Sequence, residues 1–218
     1  MSARGWHGDE QRPGPAGPFA MPEGPGRAAG PGWAPGAFAA ALAWIGLALC
    51  PGLAGAQDFP EGFATGPVIE GFGPVADMPE TAFNLVPGVK YQLLFDSAYG
   101  EKDKHELNRR LESVARFLNM HARAGIDPDD LEIEVITHGG TTWDMLSDAA
   151  YRKRFGRDNP NTGLLEALAD AGVKIRICGQ SLAFQGLDAG DLAPQVGLAV
   201  SAMTVIVRRK AEGWVLLP

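Results

Sequence analysis

The chain has 218 residues, 45% of them hydrophobic and 21% charged, with a formal net charge of −7. That apolar fraction is enough for a folded core, so a wholly disordered chain is excluded. A net acidic chain without a basic stripe is poorly matched to nucleic acid or to an anionic membrane surface, and neither is expected as a partner.

Residues 1–36 hold runs such as "RPGPAGPFAMPEGPGRAAGPGWAPG", from which no core can be built. The apolar run 37–50 that follows is too short for the ~20 residues of a membrane-spanning helix. It stops at Pro51-Gly52, and Ala54-Gly55-Ala56 has the small-x-small pattern of a signal-peptidase site. The expectation is a secretory signal over residues 1–56, cleaved after Ala56, with an uncleaved N-terminal anchor as the alternative. A periplasmic or secreted mature protein follows, with no stable membrane insertion after cleavage. The region ahead of the apolar run is long and weakly basic. A start at Met21 rather than Met1 leaves Arg27 as its single positive charge.

The three basic and three acidic residues of 1–56 cancel, leaving 16 basic against 23 acidic residues and an unchanged charge of −7. Cys50 departs with the signal, so Cys178 is the one cysteine left. It cannot form an internal disulfide, and a dithiol oxidoreductase is excluded for the monomer. An odd cysteine in an exported chain marks a reactive thiol or an intermolecular bridge.

Residues 57–88 are rich in proline and glycine yet carry Phe59, Phe63, Val68, Ile69, Phe72 and Phe83. Pure linkers lack such anchors, so an extended arm lying across a surface is expected. Its "GFG" neither follows a strand nor opens a helix and is no dinucleotide fingerprint. From Val89 the pattern changes. "VKYQLLFDSA" reads as a strand. "DKHELNRRLESVARFLNMHARAG" reads as an amphipathic helix, with Asp103 and Glu106 as its capping box and Gly125 as its stop. "LEIEVITHGG" is a second strand. Thr141 is expected to cap a helix through "WDMLSDAAYRKRF", and Asn161 to open another. "VKIRIC" is the third strand, followed by a short helix to Gly186. "QVGLAVS" is the fourth strand, "AMTVIVRRKAEG" a helix and "WVLLP" the last strand. The run Arg208-Arg209-Lys210 reads as a solvated face. Strands alternating with helices give an α/β fold for residues 89–218, a sandwich with a mostly parallel sheet of about five strands.

Ligands of open α/β sheets bind beyond the carboxyl ends of the strands. Those ends here are Asp96-Ser97-Ala98-Tyr99, His138-Gly139-Gly140-Thr141, Cys178-Gly179-Gln180 and Ser201. Cys178 stands where a strand turns into a helix, and the positive end of a helix dipole favours thiolate over thiol. Gly179 would leave the sulfur approachable. Lys174 and Arg176 add positive potential, although alternation turns them away from Ile175 and Ile177. A cysteine at such a place also serves as a small buried hydrophobe, and a lone histidine is often structural. Both readings stay open on these residues alone.

The segments "YQLLFDSA", "LNRRLESVARFLN", "LEIEVITHGG" and "LLEALADAGVKIRICGQSLAFQGLDAGDLAPQVGLAVSAMTVIVRRKAEGWVLLP" together resemble the DsrE/DsrF-like family, in its exported branch. The most specific pieces are the "HG" after the second strand, "CGQSL" with Gly186 eight residues past Cys178, and the ending "VRRKAEGWVLLP". The resemblance implies a three-layer α/β/α sandwich related to flavodoxin-like sheets, in homotrimers or homohexamers. It also implies a sulfur relay in which the cysteine matching Cys178 holds sulfane sulfur as a persulfide. His138, Gly139, Gly179, Gln180, Asp96 and Ser97 then line the site. Donor and acceptor would be thiol or persulfide proteins or small sulfur species. Relay members work in the cytoplasm with dedicated partners, and an exported chain departs from that pattern.

The alternative to a sulfur carrier is a non-catalytic oligomeric module that binds a small ligand and only packs its cysteine. No cofactor and no metal are expected. His105 and His121, sixteen residues apart on one helix, stand roughly 160° apart around it at ~3.6 residues per turn and cannot share an ion. His138 with Cys178 gives only two ligands, too few for structural zinc. The sequence contains no Walker loop, HExxH helix or G-x-S-x-G elbow.

Overall fold

The computed structural model describes residues 59–218, and the expected signal sequence, with the choice between Met1 and Met21, lies outside them. None of the helices in that span is long and apolar enough to cross a membrane. Two short strands come first, β1 (Phe63–Ala64) and β2 (Val75–Ala76), paired antiparallel. The main sheet is built from β3 (Tyr91–Ser97), β4 (Leu131–Thr137), β5 (Lys174–Cys178), β6 (Val196–Ala199) and β7 (Val215–Leu217). Its order is β6-β5-β4-β3-β7, and every neighbouring pair is parallel. The helices are α1 (Arg109–Arg123), α2 (Asp148–Phe155), α3 (Thr162–Asp170), α4 (Gly179–Phe184) and α5 (Ala202–Ala211).

Strand periodicity sorts the side chains onto two unequal faces. Leu93, Phe95, Ile133, Val135, Ile175 and Ile177 enter one apolar core with Leu111, Val114 and Leu118 of α1, Leu164, Leu165 and Leu168 of α3, and Leu182 of α4. The spacing of 111, 114, 115 and 118 puts one stripe of α1 into that core. Each fully buried leucine there contributes roughly 1.5–3 kcal/mol. The opposite face holds a much smaller cluster, in which Leu94, Ile136 and Cys178 meet Ala202, Val205 and Trp214 at and beyond α5. The result is a three-layer α/β/α sandwich whose second helical layer is a single helix.

Several expected details differ. The capping box at Asp103 and Glu106 does not form. Helix α1 starts later, with Asn108 as its cap, accepting hydrogen bonds from the backbone N–H groups of Arg110 and Leu111. Asn108 wins because its amide also reaches Asp144 (2.6 Å), a buried partner that exposed Asp103 lacks. Thr141 caps no long helix. Residues Gly139–Met145 form 3₁₀ turns, and Ser147 caps α2 after a break at Leu146. The run 208–210 is not simply solvated. Arg209 lies against the Trp214 ring and pairs with Glu134, whose carboxylate also accepts from Arg176 Nε at 2.6 Å.

The 59–88 segment is folded back on itself and clamped to α1. The Asn119 side chain accepts from Val68 and Ile69 N–H and donates to the carbonyls of Ile69, Phe72 and Gly73. Ile69, at 1% exposure, is the apolar peg of that clamp.

Candidate functional site

The strand ends that the sequence marks lie at the carboxyl edge of the sheet, but they divide between the two faces. Asp96, His138 and Cys178 alternate in step with Leu94, Ile136 and Arg176, so all three belong to the sparsely covered face. His138 and Cys178 stand one step beyond the last registered β4–β5 pair, Thr137 with Ile177. His138 Nε2 is 2.9 Å from Asp96 Oδ1. A carboxylate only accepts, so the imidazole donates this bond. Both side chains are about one-third exposed.

Ser97 points the other way. Its hydroxyl lies 3.2 Å from Thr141 Oγ1 in a buried contact that ties the end of β3 to the turn after β4. Gln180 approaches the Val200 carbonyl at 3.5 Å through its amide, and its backbone N–H adds a small influence that lowers the Cys178 thiol. Ser201 caps α5 by accepting from Thr204 N–H.

Cys178 is 6% exposed and sits in the small apolar cluster, yet its sulfur is surrounded by donors. Burial by itself pushes the thiol up and is the largest single influence. Against it stand the backbone N–H groups of Ser181, Ala202 and Gln180 and the Ser181 hydroxyl, and together they hold the thiol below its ordinary range. The backbone donors come from two places. Gln180 and Ser181 are in the first turn of α4, while Ala202 opens α5. The sulfur therefore sits near two helix starts, whose first-turn N–H groups favour an anion. Sequence reasoning found the first helix start and missed the second. The signal was present in Ser201, a good cap ahead of "AMTVIV", but only the β5–β6 pairing, which sets Cys178 beside Ala199, brings that cap near the sulfur.

Ser181 was also missed. Its hydroxyl accepts from Gly139 N–H at 3.2 Å, linking α4 to the turn after His138, and helps to hold the Cys178 thiol down. Gly139 itself has φ +55°, and a Cβ there would stand 2.8 Å from the Ala98 carbonyl oxygen. Gly179 is required for a similar reason. An added Cβ would meet the Ala199 carbonyl oxygen at 2.8 Å, so its small size serves packing against β6. Lys174 and Arg176 lend the sulfur little potential, being paired with Glu132 (2.7 Å) and Glu134 (2.6 Å). Two surface clefts, of about 470 and 560 Å³, are lined by neither Cys178 nor His138. Among the described residues no group of three His, Cys, Asp or Glu side chains is placed to hold a metal ion.

A second polar cluster lies where α1 and α3 begin. Asn108, Asp144, Asn159 and Asn161 are buried and bonded in sequence, with Asn108 N–H on Asn161, and Asn159 on the Asp144 and Leu146 carbonyls. Burial pushes Asp144 up to about 6, against the opposing influence of Asn108 and Lys104.

A family model described as the DsrE/DsrF-like family matches residues 90–218, which takes in the whole five-stranded sheet and the Cys178 environment. The chain belongs to the DsrE/DsrF-like family. Among solved structures it is similar to a protein of unknown function from Methanobacterium thermoautotrophicum. That match has 24% identity and a TM-score of 0.44, and covers 59% of this chain and 98% of the other. No curated protein matches the chain. Membership suggests a role related to sulfur relay.

Proposed function

We propose that the protein is a sulfur carrier of the exported compartment that holds sulfane sulfur as a persulfide on Cys178. The observation that carries this reading is the place of Cys178, at the end of β5 where α4 begins and beside Ala199 just ahead of the start of α5, with the nearby Ser181 hydroxyl and the backbone N–H groups of Ser181, Ala202 and Gln180 holding the thiol below its ordinary range. Donors of that kind are wasted on a space-filling thiol, whereas they stabilise a thiolate and the equally anionic persulfide that follows it. Cys178 is the nucleophile. His138 and Asp96 flank it, and Gly139, Gly179 and Gln180 form the backbone around it. Small sulfur species or thiol proteins supply and remove the sulfur, and homotrimers or homohexamers are the working form.

The test is intact mass spectrometry after treatment with a small alkyl persulfide. The wild type gains one or more sulfur atoms and Cys178→Ser gains none; a gain retained in the variant sinks the reading.

One observation favours a second reading. Cys178 is 6% exposed among Leu94, Ile136, Val205 and Trp214, as suits a packed cysteine in a non-catalytic ligand-binding module. Under that reading the thiol stays unmodified until the protein is unfolded.

A further inference from the structure

We propose that His138 is the acid that protonates the departing thiol when Cys178 attacks a sulfur–sulfur bond, and that Asp96 positions it. This rests on the reading of Cys178 as a nucleophile and adds a named proton donor to it.

The three residues occupy three adjacent strands in order. Asp96 is on β3, His138 follows β4, and Cys178 ends β5, with β4 in the middle. Alternation places all three on the face covered by α5. The Asp96 carboxylate accepts a hydrogen bond from Nε2–H, with N···O 2.9 Å, which fixes the ring and leaves Nδ1 free to serve the leaving sulfur. Ser181 and the backbone donors already serve the attacking sulfur. None of them is an acid strong enough to protonate a leaving thiolate near neutral pH. A basic thiolate expelled at this edge of the sheet needs one, and His138, on the neighbouring strand and one register step past Thr137 as Cys178 is past Ile177, is placed to supply it.

The Cys178 thiolate attacks the terminal sulfur of a persulfide R–S–SH and forms a new S–S bond. The old S–S bond breaks with its electron pair on R–S. The proton on Nδ1 of the imidazolium moves to that sulfur. The products are Cys178–S–SH, R–SH and a neutral imidazole, and in the reverse direction His138 takes the proton back from the accepting thiol. With a disulfide R–S–S–R in place of the persulfide, the same attack leaves a mixed disulfide and R–SH.

Leaving-group dependence separates an acid from a structural residue. The full chain is reacted with an aryl disulfide, dithiobis(nitrobenzoate), whose leaving thiolate needs no proton, and with glutathione disulfide and glutathione persulfide, whose leaving thiolates are strongly basic. For His138→Gln we expect a rate with the aryl disulfide within about twofold of wild type, and about 10²–10³-fold slower reaction with both glutathione reagents. Asp96→Asn should show the same split at about tenfold, with unfolding curves confirming that both variants are folded. Equal slowing with all three reagents, or none with any, overturns the role of His138, and so does a wild-type thiol inert to both disulfides. If the disulfide split is present but wild-type Cys178 gains no sulfur from the persulfide, the carrier reading fails while the acid role stands.

Discussion

The two faces of the sheet are built on different principles. One is roofed by α1, α3 and α4 over a continuous apolar core. The other is roofed by α5 alone, and its side chains include Glu132, Glu134, Lys174 and Arg176 in ion pairs as well as Asp96, His138 and Cys178. The larger apolar core lies on the first face, and the proposed chemistry on the second. A polar sheet face held by a few charge pairs can keep a histidine about one-third exposed and a thiol close to two helix starts, which a dry core cannot.

The comparison can be broken most sharply from the packed side. Leu164→Ala, at a fully buried position of α3, should cost about 2–5 kcal/mol in chemical denaturation while leaving the native-state reactivity of Cys178 unchanged. An equal loss of thiol reactivity would show that the faces are not separable.

On the sparse face, Glu134→Gln should cost about 1–3 kcal/mol, because the buried carboxylate serves both Arg176 and Arg209 and its loss leaves Arg176 without its ion pair and Arg209 with Glu212 alone. The partial exposure of Arg176 keeps the figure below that of a wholly buried pair.

Asp144 supplies the pH test of the packed side. Its folded-state value is raised to about 6 from 3.8 by burial. The native state therefore binds more protons than the unfolded chain between those values, and this group's contribution to stability falls as pH rises from about 4 to about 6. Asp144→Asn should remove that fall, so the stability of the variant relative to wild type should be greater at pH 7 than at pH 4 by up to about 3 kcal/mol. Matching wild-type and variant stability profiles across that window would contradict the assignment.

The smallest effect concerns the sulfur. Ser181→Ala removes one of four donors, so the thiol should move up and its reactivity near neutral pH should fall about three- to tenfold, with little change in stability. Iodoacetamide kinetics would measure this.

Much of this division is visible in the residues themselves. The five strands and the long helix follow from apolar runs and from the stripe Leu111, Val114, Leu118, so the fold was legible. So was the gathering of Asp96, His138 and Cys178 at one edge, because strand ends of a parallel sheet share an edge. Facing was partly legible. Period-two alternation already sets Ser97 opposite Asp96, but reading the strand ends as one set hides it. Long-range partners were not legible. Asn119 clamping residues 68–73, Asn108 choosing Asp144, and Ala202 N–H reaching Cys178 each depend on contacts between elements that no local pattern records. The capping box at Asp103 failed for the same reason: a good local motif lost to a cap with a buried partner.

The most direct test of the central claim is the pH dependence of Cys178 alkylation in the folded protein, followed by intact mass. We predict modification of the native chain with a midpoint below the ~8.5 of a free cysteine. A thiol that reacts only after unfolding, or whose midpoint lies at or above that of free cysteine, would contradict the account.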